Sequence, residues 1–131
     1  MASLNPNAGR LAIALGAGNA FLAVALGAFG AHGLRHLVDA HAIELWQTAT
    51  HYHGFHGLGL LLLGNLQLQQ TGMRLQPAVA LLGAGILLFS GSLYVLALTG
   101  ITWLGAITPL GGLCFLAGWL WLGLAAVRRQ P

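Results

Sequence analysis

The sequence predicts an all-α integral membrane protein: a four-helix bundle with a short amphipathic interfacial helix between its first and second crossings. Three observations predict it. Only 5% of the residues are charged and 57% are hydrophobic, whereas a soluble domain carries about 25% charged residues and would associate through so bare a surface. Long apolar runs recur at about the length a helix needs to cross a bilayer. The connections between them are short, with no long linker, low-complexity tract or fixed-period repeat, so residues 1–131 read as a single membrane domain.

The first crossing is assigned to residues 11–31. This run exceeds the about 7 to 15 residues of a signal-peptide core and reads as a retained helix. The second is assigned to 50–69, although its apolar run, Gly54 to Leu68, is short. At about 1.5 Å per residue the run covers about 22 Å of a hydrocarbon core about 30 Å thick. The helix must therefore recruit Thr50, His51, Tyr52 and His53 upstream and Gln69 downstream. That puts His56 roughly 9 Å below the upstream end and leaves His51 and His53 nearer the headgroups. The third and fourth crossings are assigned to 77–99 and 103–127, and the short link between them makes them antiparallel neighbours.

Between the first two crossings, Leu34, Leu37, Val38, Leu45 and Ala49 fall at helical spacing, with Arg35, Asp39 and Glu44 elsewhere on the wheel. Residues 34–49 thus read as a helix lying in the membrane interface, anchored by Trp46. Arg10, Arg74, Arg128 and Arg129 fall on one side of the membrane, and Arg35 on the other with both acids. The positive-inside rule then puts both termini in the cytoplasm of a bacterial-type inner (plasma) membrane. The arginines form no stripe, which argues against nucleic acid as a partner. Lone Cys114 excludes an intrachain disulfide.

Lipid gives helices no hydrophobic reason to associate, so small residues that allow close approach mark the expected seams. Ala23, Gly27 and Ala31 form one such series, and Ala12, Gly16 and Ala20 another. Ala80 and Ala84 suggest a third, and Gly111 and Gly118 lie a heptad apart. Asn19 is mid-membrane and should face the bundle interior or an oligomer interface. Pro109 should kink or break the fourth helix and free a carbonyl near Gly105, while Gly111 and Gly112 let another backbone approach.

Four stretches carry a resemblance: ALGAFGAHGL (Ala25 to Leu34), YHGFH (Tyr52 to His56), LFSGSLYVLAL (Leu88 to Leu98) and ITPLGGLCFLAGW (Ile107 to Trp119). Together they resemble the domain-of-unknown-function 423 family, small four-helix membrane proteins of the transmembrane protein 256 type. The resemblance implies a membrane location and a four-crossing layout, but no reaction, substrate or cofactor. The positions matching its motifs are His32, Tyr52, His56, Ser90, Ser92, Tyr94, Thr108, Pro109, Gly111 and Gly112. His36, His41, His51 and His53 fall outside the pattern.

Counted from the outer ends, His32, Tyr52, His56, Ser90, Tyr94 and Thr108 occupy the outer half of the membrane. Around one axis they could form a single hydrogen-bonded cluster, with Ser92 facing away from Ser90. The leading expectation is that they satisfy one another and set helix register in a non-enzymatic protein with a structural, accessory or small-ligand-binding role. A transporter or channel-like protein for protons or a small solute is the alternative, since histidine titrates near neutrality. A pump, however, usually needs an intramembrane acid. A metal-binding protein is the second alternative: His53 and His56 are three apart and imidazoles are good ligands, yet no intramembrane carboxylate or second cysteine supports them. No metal or other cofactor is therefore implied. Neither a nucleophile–base pair nor a phosphate-binding loop is evident, which speaks against an enzyme. The partners implied are the lipid bilayer and either a second copy or a membrane complex.

Overall fold

The computed structural model describes residues 5–128. Among them are four long helices and no strand: α1 (Pro6–His32), α2 (Ala40–Leu68), α3 (Gln76–Thr99) and α4 (Thr108–Arg128). Arg129, assigned above to the cytoplasmic side, lies outside the described residues.

Local chemistry sets the ends. Asn5 caps α1 by accepting from the Asn7 amide at 3.0 Å, and Pro6, which has no N–H to leave orphaned, begins the helix. After α1 the chain makes a 3₁₀ turn (Leu34–His36). Asp39 then caps α2 by accepting from the Ala42 amide at 2.8 Å. From there α2 runs unbroken for 29 residues, about 43 Å at 1.5 Å per residue. α3 passes through one π-helical turn (Ile86–Gly91) and ends at Gly100, whose φ of 69° is the left-handed cap that glycine adopts without strain.

Two expectations are corrected here. Residues 34–49 do not form a separate interfacial helix, because Asp39 restarts the helix and nothing breaks it before the membrane run. Trp46 is a core residue, 3% exposed, and its indole donates to the Leu26 carbonyl at 2.7 Å. Most of the apolar stripe of this segment faces protein: Leu34 and Trp46 cluster with Ala97 of α3, and Val38 and Leu45 pack against them, while Leu37 stays exposed. Pro109, likewise, does not kink the fourth helix. A 3₁₀ turn (Thr102–Ala106) precedes α4, and Pro109 lies in the first turn of the helix, where amide donors are free in any case.

The helices pack as an open row: α1 against α2, α2 against α3 and α3 against α4. The segments long and apolar enough to cross a membrane are Pro6–His36, Gln76–Thr99 and Thr102–Arg128. α2 is long enough and less apolar, and its place inside the row explains the difference. It buries Trp46, Ala49, His53, His56, Leu60 and Leu63, and a helix covered by neighbours need not be lipid-soluble all round.

The α1–α2 seam is built on a seven-residue step. Gly9, Gly16, Ala23 and Gly30 are buried on α1, and Gly57 and Gly64 face them from α2. A Cβ on Gly16 would lie 2.5 Å from the Leu61 nitrogen, and one on Gly64 would lie 2.7 Å from the Gly9 oxygen. Gly27 and Ala31 are not in this seam: Gly27 meets nothing within 4 Å and Ala31 is exposed. The four-residue steps that singled them out drift off the buried face, whereas the heptad stays on it. Between α3 and α4, Gly111 sits against the Phe89 backbone and Gly118 against Leu82, while Gly112 is only in ordinary contact with the Phe89 ring. Ala80 is exposed and takes no part in that seam.

Candidate functional site: two histidine ties and an aromatic groove

On α2 the positions Trp46, Ala49, His53, His56, Leu60 and Leu63 follow alternating steps of three and four, the spacing of one buried face. Two of those core positions are histidines. Both are buried, His53 at 5% exposure and His56 at 3%. Asn19 on α1 and Tyr94 on α3 reach the first; Trp119 on α4 reaches the second.

The hydrogen bonds decide the tautomers. Asn19 donates its amide to the Leu15 carbonyl at 2.8 Å, so its Oδ1 faces His53 Nε2 at 2.9 Å and can only accept. His53 therefore carries its proton on Nε2, which leaves Nδ1 to accept from the Tyr94 hydroxyl at 2.9 Å. At His56 the arrangement is reversed. Nδ1 lies 2.8 Å from the Tyr52 carbonyl and must donate, while Nε2 accepts from the Trp119 indole at 3.0 Å. The His56 ring also stacks on Phe115, with centroids 3.5 Å apart and planes 7° from parallel.

These ties separate residues expected to meet in one cluster. Tyr94 belongs to the His53 group. His56 and the Tyr52 carbonyl form a second group, and the Tyr52 ring is half exposed against Phe89. Fully buried Ser90 donates to the Ala49 carbonyl at 2.8 Å. Thr108 shares a 2.7 Å hydrogen bond with Ser92 across α3 and α4. His32 is exposed at the end of α1 and joins none of them.

His53 was expected near the headgroups and is instead the most connected polar side chain of the interior. Its step of three from His56, within the run from Trp46 to Leu63, was the signal that could have found it. Asn19 does face inward, as its mid-membrane position required. Trp119 carried no sequence signal for its role, because its partner is 63 positions away. As for metal, no three His, Cys, Asp or Glu side chains gather among the described residues, and both nitrogens of His53 and His56 are occupied by protein groups.

Beside the second tie lies a groove. α2 and α4 both lean on α3 and meet each other through side chains, His56 on Phe115 and Trp119, and beside that contact lies a cavity of about 700 Å³. Tyr52, Phe55, Phe89, Gly112, Leu116 and Trp119 are among its walls. Phe55 and Leu116 remain exposed at its mouth. His56 and Trp119 bridge it, and Gly59 packs against the Trp119 ring.

The family model described as "Protein of unknown function (DUF423)" matches residues 26–112. The chain is 49% identical to the UPF0382 membrane protein YwdK of Bacillus subtilis over 117 residues, covering 88% of this chain and 95% of that one. It is 47% identical to a UPF0382 membrane protein of Staphylococcus aureus over 119 residues, covering 91% and 97%. With a UPF0382 membrane protein of Staphylococcus saprophyticus the identity is 50% over 116 residues, covering 88% and 96%. No solved structure matches the chain.

Proposed function

This chain belongs to the DUF423 family of proteins of unknown function, whose relatives are membrane proteins, and we propose that it is a non-enzymatic binding protein that takes a hydrophobic small molecule from the bilayer into the groove between α2 and α4. One observation carries this reading. Every ring nitrogen of the two buried histidines already serves a protein partner, while Phe55 and Leu116 at the mouth of the groove beside them remain largely exposed. The histidines are then structural, and the groove is the surface with unspent binding capacity. Its volume of about 700 Å³ is within the roughly 300–1,000 Å³ usual for small-molecule sites, which are apolar with a few placed polar groups.

The protein resides in a bacterial-type inner membrane with both termini cytoplasmic, a reading supported by the arginine asymmetry. Cysteines at Ala2 and Gln130 in a Cys114→Ser background should resist an impermeant thiol reagent applied outside intact cells. Labelling of both would reverse the orientation.

For the groove, the test is the lipophile content of protein purified in mild detergent. Gly112 lines the groove, and a Cβ there would meet only the Phe89 ring, at 3.8 Å and beyond. Gly112→Phe should therefore fill the space and leave both histidine ties intact. Wild type should retain a defined hydrophobic molecule that the variant loses at unchanged helicity. Equal content in the two proteins would overturn the reading. A carrier for protons or a small solute is the second reading, favoured by the Tyr94–His53–Asn19 chain that crosses three helices. It requires solute flux in proteoliposomes that Tyr94→Phe abolishes.

A further inference from the structure

At the opposite end of the row from the Leu34–Trp46 cluster, the chain between α2 and α3 passes beside the last turns of α4. The Trp121 indole donates to the Arg74 carbonyl at 2.8 Å, which ties the connection to the helix. A cleft of about 480 Å³ lies there, walled by Met73, Arg74, Trp121, Leu124, Ala125 and Arg128. On α4 the lining positions 121, 124, 125 and 128 fall on one face at steps of three, one and three. The cleft thus has a cationic lip made by two arginines from different elements, and an apolar wall made by leucine, alanine and the indole.

Among the described residues no carboxylate side chain lies at that lip. The sequence holds two acids, Asp39 and Glu44. Asp39 caps the N-terminus of α2 and Glu44 lies in the second turn of the same helix, a whole helix length from the connection that follows it. No aspartate or glutamate supplies a countercharge for Arg74 and Arg128, and an anion from outside the protein can. Guanidinium forks match phosphate oxygens in geometry and charge, and basic pockets between transmembrane helices suit acidic lipid headgroups. A free anion would use the arginines and leave Leu124 and the indole face unused. A phospholipid uses both, because its phosphate and its first acyl carbons are joined in one molecule.

We propose that the cleft between the α2–α3 connection and the C-terminal turns of α4 is a binding site for an anionic glycerophospholipid, with the phosphate held by Arg74 and Arg128 and the upper acyl chain laid on Trp121 and Leu124. The indole has two tasks there: its N–H fixes the connection that carries Arg74, and its ring forms part of the wall. This site is separate from the aromatic groove and does not depend on the groove having an occupant.

The test is lipid retention by the full chain, read by native mass spectrometry in detergent with added phosphatidylglycerol, phosphatidylcholine or inorganic phosphate. Phosphatidylglycerol should be retained over phosphatidylcholine. The preference should fall roughly tenfold or more in Arg74→Gln/Arg128→Gln, since each arginine near an anionic lipid surface contributes substantially to binding. Both side chains are exposed, so the fold should survive, and thermal unfolding in phosphatidylcholine checks that. Arg35→Gln, beyond the other end of α2, and Gly112→Phe should each keep the preference. Trp121→Phe should reduce it by freeing the connection. Equal retention of the two lipids, or an equal loss in Arg35→Gln, would overturn the site. Displacement of the lipid by millimolar inorganic phosphate would make it a free-anion site and overturn the lipid assignment.

Discussion

Tyr94→Phe isolates a single hydroxyl. The ring stays, including its packing on Trp46 at 4.7 Å between centroids, and only the donor to His53 Nδ1 is lost. His53 is 5% exposed, and its other nitrogen remains committed to Asn19, so the ring cannot turn to find a new donor without breaking that bond. A stranded buried acceptor costs about 1–3 kcal/mol in soluble proteins. Interhelical hydrogen bonds in membranes measure about 0.6 on average and about 1.7 at most, because the unfolded chain also finds partners. The two ranges overlap between about 1 and 1.7 kcal/mol, and the loss is expected there. Asn19→Leu strands Nε2–H in the same way and should cost a similar amount. The decisive measurement is a double-mutant cycle by reversible unfolding in bicelles: with His53→Leu already present, Tyr94→Phe should cost less than about 0.5 kcal/mol. An equal cost with and without His53 would refute the assignment, since the hydroxyl would then be serving some other group.

Three further outcomes follow from the same geometry. Solid-state ¹⁵N NMR of histidine-labelled protein should show the proton of His53 on Nε2 and that of His56 on Nδ1, and identical tautomers would contradict the bonds to Asn19 or Trp119. Gly16→Leu and Gly64→Leu should each destabilise by about 3 kcal/mol or more in thermal unfolding, since backbone blocks the new side chain. Gly27→Leu, with open space around it, should stay within about 0.5 kcal/mol of wild type. Gln70 has a φ of 51°, so Gln70→Gly should stabilise by about 1 kcal/mol in the same assay by relieving a left-handed backbone.

What the sequence conveyed best was whatever depends on a contiguous run. The positions of α1, α3 and α4 followed from apolar length, and the inward turn of Asn19 from the expense of an amide in lipid. Partner choice was not legible, because it depends on which faces meet. The small-residue spacing in α1 offered several seams. Only the facing glycines of α2, Gly57 and Gly64, select the one through Gly9, Gly16, Ala23 and Gly30. Trp46 misled for a related reason: an amphipathic stripe looks the same whether its apolar side meets lipid or another helix. The six polar residues do not form one cluster because equal depth in the membrane is not proximity: an open row brings residues at one depth into separate neighbourhoods.

The row arrangement also explains why a helix with two buried histidines stands in its middle. A leucine at position 53 could fill the same space but would accept many rotations of α1 and α3 around it. An imidazole with one donor and one acceptor at opposite ends of a rigid ring accepts only the arrangement in which Asn19 and Tyr94 meet it together. His56 does the same toward α4 through Trp119. Together with the stack of His56 on Phe115, that bond orients α2 against α4 where their backbones do not approach closely. The groove is the space left open beside them, and its width is set by the His56–Trp119 bond and the His56–Phe115 stack. Trp119→Phe should therefore let α2 and α4 move apart or together, and double electron–electron resonance between spin labels at Leu58 and Leu120 would report it. Both positions are exposed, which keeps the labels out of the packing. A broadened distance distribution in Trp119→Phe is the expected result, and an unchanged narrow one would mean that α3 and the Phe115 stack hold the groove open without the indole bond.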